Sequence, residues 1–270
     1  MGDFLQGTLG KTGIPVCRLG LSASYWPGKR AIHQAIDEGV NYLFAYGFDR
    51  QMIRVFHDVA RGTGRSQFVL TTGAYNLLVG HPNLRRTLEK RLRQFRTDYI
   101  DAFLFLGVMK PSQFPDTVVE ELHRFREEGK VRAVGLSTHQ RLFAAKLIRD
   151  GAIDVAMIRY NAAHRGAETE IFPDLEPHDP GVVSYTATRW RFLLRRPRGW
   201  PRHGRVPTPG DCYRFVLSNP HVDVCLMAPS NVRQFKDNLS AVRTGPLSED
   251  DMSFMRQFGD VVHGGKRWFM

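Results

Sequence analysis

The chain has 270 residues, 42% of them hydrophobic and 24% charged, with 25 Gly and 15 Pro; these proportions exclude a disordered or collagen-like chain. No stretch approaches the ~20 apolar residues of a membrane span, and the opening MGDFLQGTLGKTG lacks the basic region and apolar run of a secretory signal, so a cytoplasmic protein is expected. The net charge of +11 fits an enzyme that handles phosphate better than a nucleic-acid binder, because most of the Arg residues are scattered along helical stretches.

Taken in chain order, FLQGTLGKTGIPV (4–16) reads as a β-hairpin with a Gly10-Lys11-Thr12-Gly13 turn, placed to plug the bottom of a barrel. Eight β-rich runs follow: 17–23, 40–45, 67–72, 99–106, 131–137, 153–160, 181–187 and 222–228. Between them lie segments with apolar residues at every third or fourth place, among them 81–95, 116–130 and 140–151. Asp116 reads as a capping-type residue and Gly129 as a stop. Strands alternating with helices mean parallel strands joined by helical crossovers. A doubly wound sheet has fewer strands and a Gly-rich turn after its first. Eight such units in 270 residues predict an α/β fold, a single (β/α)8 TIM barrel with an N-terminal β-hairpin, one domain over residues 1–270. The predicted barrel core includes Val69, Leu70, Phe103, Leu104, Val134, Val155, Val183 and Val224. Cys17, Cys212 and Cys225 are odd in number and far apart, which argues against a disulfide framework, a zinc site or an iron–sulfur cluster.

In such barrels the chemistry sits where strands end and loops begin. Several of these segments resemble the aldo/keto reductase superfamily: LGKTGIPVCRLGLSA (9–23), AIDEGVNYLFAYG (35–47), LEKRLRQFRTDYIDAFLFL (88–106), GKVRAVGLST (129–138), IDVAMIRYNAAHR (153–165) and APSNVRQFKDNLSAV (228–242). The landmarks occur in order over roughly residues 8 to 245. The resemblance implies reduction of a small-molecule carbonyl with NADP or NAD. The family uses a proton-donating Tyr, a Lys and an Asp that tune it, and a His that orients the carbonyl. Only the Tyr has a counterpart, Tyr46; the Asp position falls on Phe44, the Lys on Gly73 and the His on Leu106. The resemblance therefore implies a degenerate catalytic set. Tyr75, Asn76, His81, Lys110 and His139 lie near the lost groups but read as loop residues, none at a matching strand end.

On the cofactor side the resemblance assigns Ser137 and Thr138 to the nicotinamide amide, with Met157 replacing a hydrogen-bonding Gln. It assigns Tyr185 to stacking on the nicotinamide, Thr186 to the start of the pyrophosphate loop and Asn238 to adenine. The family's phosphate-reading residues fall on Ala228, Pro229 and Gln234, with Arg233 a partial substitute, so any dinucleotide is expected to bind weakly. The run RWRFLLRRPRGWPRHGR (189–205) holds seven Arg. It allows a cofactor clamp led by Arg189, a nucleic-acid patch or a solvated loop, and its prolines favour an extended loop. Two functional readings stand: a dinucleotide-dependent oxidoreductase with an altered active site, and a non-catalytic barrel that binds a dinucleotide or a partner. The sequence leaves substrate and oligomeric state open.

Overall fold

The barrel strands are buried on both faces, one against the barrel interior and one against the helices. In the structure, a computed structural model that describes residues 4–75 and 83–265, strands β1 (Gln6–Thr8) and β2 (Pro15–Cys17) form the N-terminal hairpin. The eight barrel strands are β3 (Leu19–Ser22), β4 (Tyr42–Phe44), β5 (Val69–Tyr75), β6 (Ile100–Val108), β7 (Val131–Thr138), β8 (Val155–Arg159), β9 (Gly181–Tyr185) and β10 (Val224–Met227). They pair in parallel in chain order, and β10 returns to β3. Around them lie α1 (Lys29–Asp37), α2 (Arg50–Val59), α3 (Leu84–Phe95), α4 (Asp116–Glu127), α5 (Arg141–Arg149), α6 (Ala167–Glu170), α7 (Pro209–Leu217), α8 (Val232–Arg243) and α9 (Glu249–Gly264). The (β/α)8 barrel read from the sequence is the fold, and every predicted β-rich run holds one of its strands. Three strands run further than the runs read from the sequence: β5 reaches Tyr75, β6 Val108 and β7 Thr138.

The helices follow from local rules. In α3, Leu84, Leu88, Leu92 and Phe95 recur at helical spacing and are buried, and the Asn83 side chain accepts from the Arg86 amide at 2.7 Å. In α4 the cap is Pro115 rather than Asp116, which occupies the first turn. Gly129 follows with φ +69°, a conformation that costs glycine little.

All eight predicted core residues are buried, but they divide between two cores. Val69, Leu104, Val155, Val183 and Val224 fill the barrel interior, together with Leu9, Ile14 and Val16 of the hairpin plug. Leu70, Phe103 and Val134 face the helices instead. Successive residues of a strand point to opposite faces, so adjacent residues such as Val69 and Leu70 cannot share a core. At the plug end, Asp101 is fully buried and accepts from Arg65 Nη2 (2.7 Å), Arg132 Nη1 (2.9 Å) and the Leu70 amide (2.9 Å). It thereby ties β5 and β6 to their flanking basic residues.

Asp223, also at the plug end, accepts from the Val182 amide at 2.8 Å. Burial raises its pKa from 3.8 to about 6, with Asp179 adding to the rise and the Val182 and Gly10 amides and Arg18 opposing it. The folded state then binds more protons than the unfolded chain between those two values. The stability that Asp223 contributes falls as pH rises through that window. Asp223→Asn should remove the dependence, so the variant gains stability relative to the wild type between pH 4 and pH 7, by up to ~3 kcal/mol. Urea unfolding at both pH values measures this; a difference that does not change with pH would mean the carboxyl is ionised throughout.

Candidate active site

At the C-terminal end of the barrel a cavity of about 940 Å³ opens between the strand ends and their loops, the size of a small-molecule site. Phe44, Leu106, Met157 and Leu226 belong both to its lining and to the barrel interior. They give it an apolar floor.

Tyr46 follows β4 and lines the cavity. Its ring stacks on Phe48 (5.1 Å, 5°) and meets Phe44 edge-on (5.0 Å). The turn is held by Asp49, whose carboxylate accepts from the Tyr46 amide at 2.8 Å. Burial, with Tyr75 and Asp49 adding to it, pushes the phenol up to about 12. It is therefore a poorer acid than a free tyrosine.

The three positions read as lost catalytic groups are structural. Phe44 and Leu106 are 1% and 3% exposed. Gly73 lies inside β5, paired with Leu104 of β6. A Cβ there would lie 1.9 Å from the Leu104 carbonyl oxygen, so no side chain fits without respacing the strands. The same pairing places Tyr75 beside Leu106, and Tyr75 lines the cavity. It stands at a strand end, so its reading as a loop residue is corrected. His139 also lines the cavity, against Tyr185, whose hydroxyl lies 3.4 Å from both ring nitrogens. Burial, then Arg159 and Arg141, push this imidazole down to about 4. Lys110 starts the 3-10 turn Pro111–Gln113 and is absent from the lining. Asn76 and His81 lie outside the described residues.

Of the residues assigned to a cofactor, Ser137, Thr138, Tyr185, Thr186 and Asn238 all face this cavity. Ser137 hydrogen-bonds the Tyr185 phenol, which burial raises well above its ordinary value. The Thr138 hydroxyl donates to Val108 O (2.7 Å) and accepts from the Gln140 amide (2.9 Å). One lone pair remains for any ligand. Thr186 has φ +59°, and its hydroxyl is buried with no protein partner among the described residues.

Two assignments are corrected. Arg189 is 3% exposed, and its guanidinium donates to Val262 O on α9 at 2.5 Å; it anchors the loop and is absent from the lining. Arg233 points into solvent, its side chain 91% exposed and 3.8 Å from Asp237. Gln234 reaches the cavity, but its side chain accepts from the Ser230 amide at 2.8 Å. The cation that does line the cavity is Arg191, exposed and without an ion pair among the described residues. The rest of the Arg-rich run is not the extended loop its prolines suggested: it is an irregular loop with a 3-10 turn at Phe192–Leu194 and tight turns closed by Trp200 N on Pro197 O and Gly204 N on Pro201 O, partly folded onto α9. Trp200 packs on Phe258 (4.9 Å), and Arg205 pairs with Asp211 and Asp251.

The orphaned Thr186 hydroxyl, the Arg191 cation and the buried Asn238 lie along the same cavity as the Tyr185 ring. An aromatic face and several donors in a cleft of this volume fit a nicotinamide dinucleotide.

An eight-stranded parallel barrel carries many unrelated chemistries, and comparison with known proteins gives the family. The model of the aldo/keto reductase family matches residues 30–205, and the chain belongs to that family. The uncharacterized oxidoreductase YqkF of Bacillus subtilis (strain 168) is 21% identical over 262 residues, covering 83% of this chain and 85% of its own. Among solved structures, the holo form of the aldo-keto reductase AKR11C1 from Bacillus halodurans is 20% identical with a TM-score of 0.78, covering 94% of this chain and 95% of its own. An aldo/keto reductase from Klebsiella pneumoniae, solved with NADP and acetate, is 19% identical with a TM-score of 0.74 and covers the same shares.

The close approach at Gly73 sets a test. Gly73→Ala should cost about 3 kcal/mol, the upper range for overpacking, and Gly73→Lys should fail to fold. Thermal melting and soluble yield measure both. A Gly73→Lys protein that melts with the wild type and reduces simple aldehydes would show that β5 and β6 respace freely.

Proposed function

We propose that this protein is a dinucleotide-dependent oxidoreductase with an altered active site, one barrel domain over residues 1–270 acting in the cytoplasm on a small-molecule carbonyl. One observation carries the reading: Tyr46 and the wall formed by Ser137, Tyr185, Thr186 and Asn238 open onto the same cavity. Tyr185 would give the ring face and Ser137 a hydrogen-bond partner at the nicotinamide end. Arg191 and Thr186 would meet the phosphates, and Asn238 the adenine. Bound in reduced form, NADP or NAD supplies a hydride. Tyr46 holds a proton toward the cavity, and the apolar floor keeps water from the carbonyl.

Acid help in this site is weak. Tyr46 keeps its proton until about 12, and neither Gly73 nor Leu106 supplies charge or a donor. Losing one such stabilising group costs ~3–4 kcal/mol. Two losses together remove ~5–8 kcal/mol if they roughly add, or about four to six decades in rate. The same apolar replacements favour a second reading, a barrel that binds a dinucleotide or a partner without turning over. A nucleic-acid partner has less support, because Arg189, Arg196 and Arg205 of the basic run bond the protein's own groups.

Calorimetric titration with NADPH and NADH should give weak binding with little preference between them, because Gln234 is tied to its cap and Arg233 faces solvent. Tyr185→Ala should weaken both at least ~10-fold, the loss of an aromatic stacking face. Reduction of 4-nitrobenzaldehyde should stay near background. Turnover near ~1 s⁻¹ that Tyr46→Phe abolishes would mean that another residue replaces the missing Lys and His. A much tighter constant for NADPH would mean that the 2′-phosphate is read.

A further inference from the structure

Six large hydrophobic side chains of the described residues are exposed: Tyr25, Trp26, Phe48, Tyr75, Leu142 and Trp190. Tyr75 ends β5, and the other five lie on segments that continue from the C-terminal ends of barrel strands. Tyr25, Tyr75 and Trp190 line the cavity, Phe48 stacks on cavity-lining Tyr46, and Trp26 adjoins Tyr25. Phe48 is 72% exposed and Trp26 76%. Scattered single hydrophobics need no explanation, but a concentration at one end does. Here five of the six are aromatic, and they come from the last residue of β5 and from the segments after β3, β4 and β9.

We propose that this rim binds flat, fused-ring aromatic carbonyl compounds of the quinone class. Aromatic rings supply large rigid faces that favour offset stacking on another π system. The rim surrounds a concave site of about 940 Å³, which suits a small molecule better than a flat protein face. The carbonyl chemistry is chosen by the floor, and this step rests on the oxidoreductase reading above. Hydride addition to an ordinary aldehyde leaves charge on an alkoxide, whose parent alcohol is about as weak an acid as water. Such a charge needs a cation or a good acid beside it, and Phe44, Gly73 and Leu106 provide neither. In a quinone the charge spreads into the ring, and the parent is a phenol with pKa ~10. That product forms with little help from the protein. Reduction adds one hydride and one proton to the quinone, giving the hydroquinone; a reduced nicotinamide dinucleotide is the reductant and is oxidised in the same step, and Tyr46 or water provides the proton. Cys17, Cys212 and Cys225 are buried, which keeps their thiols from adding to the quinone.

The test is calorimetric titration of the full chain, without dinucleotide, by menadione (a two-ring quinone) and by 1,4-cyclohexanedione (a diketone with no aromatic ring). Menadione should bind at least 10-fold more tightly than the diketone. The double variant Phe48→Ala/Tyr75→Ala should lose at least 10-fold of the menadione affinity, and a wild-type melting temperature would show that the variant is folded. Equal affinity for the two compounds, or menadione binding that the folded double variant retains, overturns the proposal. If the double variant does not fold, Trp26→Ala with Trp190→Ala replaces it under the same criteria. NADPH titration of the wild type reports separately on the oxidoreductase reading. Menadione binding without NADPH binding keeps the aromatic site and overturns that reading; NADPH binding with no preference for menadione does the reverse.

Discussion

The carbonyl oxygen of Leu104 lies where a side chain at position 73 would have to begin. The contact expresses what closing eight parallel strands demands. Each strand turns alternate residues inward, and the interior is only wide enough for interleaved side chains. Where two strands draw together, one of them gives up its side chain. At β7 and β8 the same thing occurs, because a Cβ on Gly135 would lie 1.9 Å from Val155 O. The interior is filled from below by the Leu9, Ile14 and Val16 plug and closed above by Phe44, Leu106, Met157 and Leu226. The polar side chains that line the cavity stand at its rim, among them Tyr46, Tyr75, Ser137, His139 and Tyr185.

One stretch of that rim is strained and anchored from behind. Thr186, Arg189, Trp190 and Arg191 all have positive φ, a conformation that costs of order 1–3 kcal/mol each where the surroundings impose it. Two buried hydrogen bonds hold the stretch in place. The fully buried Asn161 donates to Thr186 O at 2.9 Å, and Arg189 donates to Val262 O. Behind them, Trp200 on Phe258 and the Arg205 pairs fasten the rest of the loop to α7 and α9. The strained turn presents Trp190 and Arg191 to the cavity. An aromatic face and a cation thus reach the rim together because the loop behind them cannot relax.

The fold was legible in the sequence because its information is local. A short β-rich run marks a strand buried on both faces, 3.6-residue spacing marks a helix, and eight repetitions leave one architecture. The site was legible only in part. Tyr46, Ser137, Tyr185, Thr186 and Asn238 sit where strand or helix register carries them. Arg189 and Arg191 could not be told apart, since they are two residues apart in an irregular loop. Which of them turns inward depends on a carbonyl 73 positions away. Strand parity could have found Tyr75: it shares a face with Gly73, and extending the strand past Thr72 would have placed it at the rim. His139 follows the last residue of β7 and carries no pattern; only its packing against Tyr185 reveals it.

The rim groups also share an electrostatic character. Burial raises the Tyr46 and Tyr185 phenols and lowers the His139 imidazole, so each is held neutral near pH 7. Desolvation acts on acids and bases in opposite directions, yet both shifts disfavour the charged form. The site therefore has uncharged donors and acceptors where a carbonyl would react. The cation that lines the cavity among the described residues, Arg191, sits on the loop rather than at the floor, while Arg159, in register with Tyr185 at the end of β8, acts on Tyr185 and His139 from outside the lining. Charge is available to hold an anionic ligand but not to stabilise an oxyanion deep in the barrel. A site of this kind gains more from substrate shape and ring contact than from acid catalysis. The chemistry that suits it is a transfer whose product already disperses its own charge.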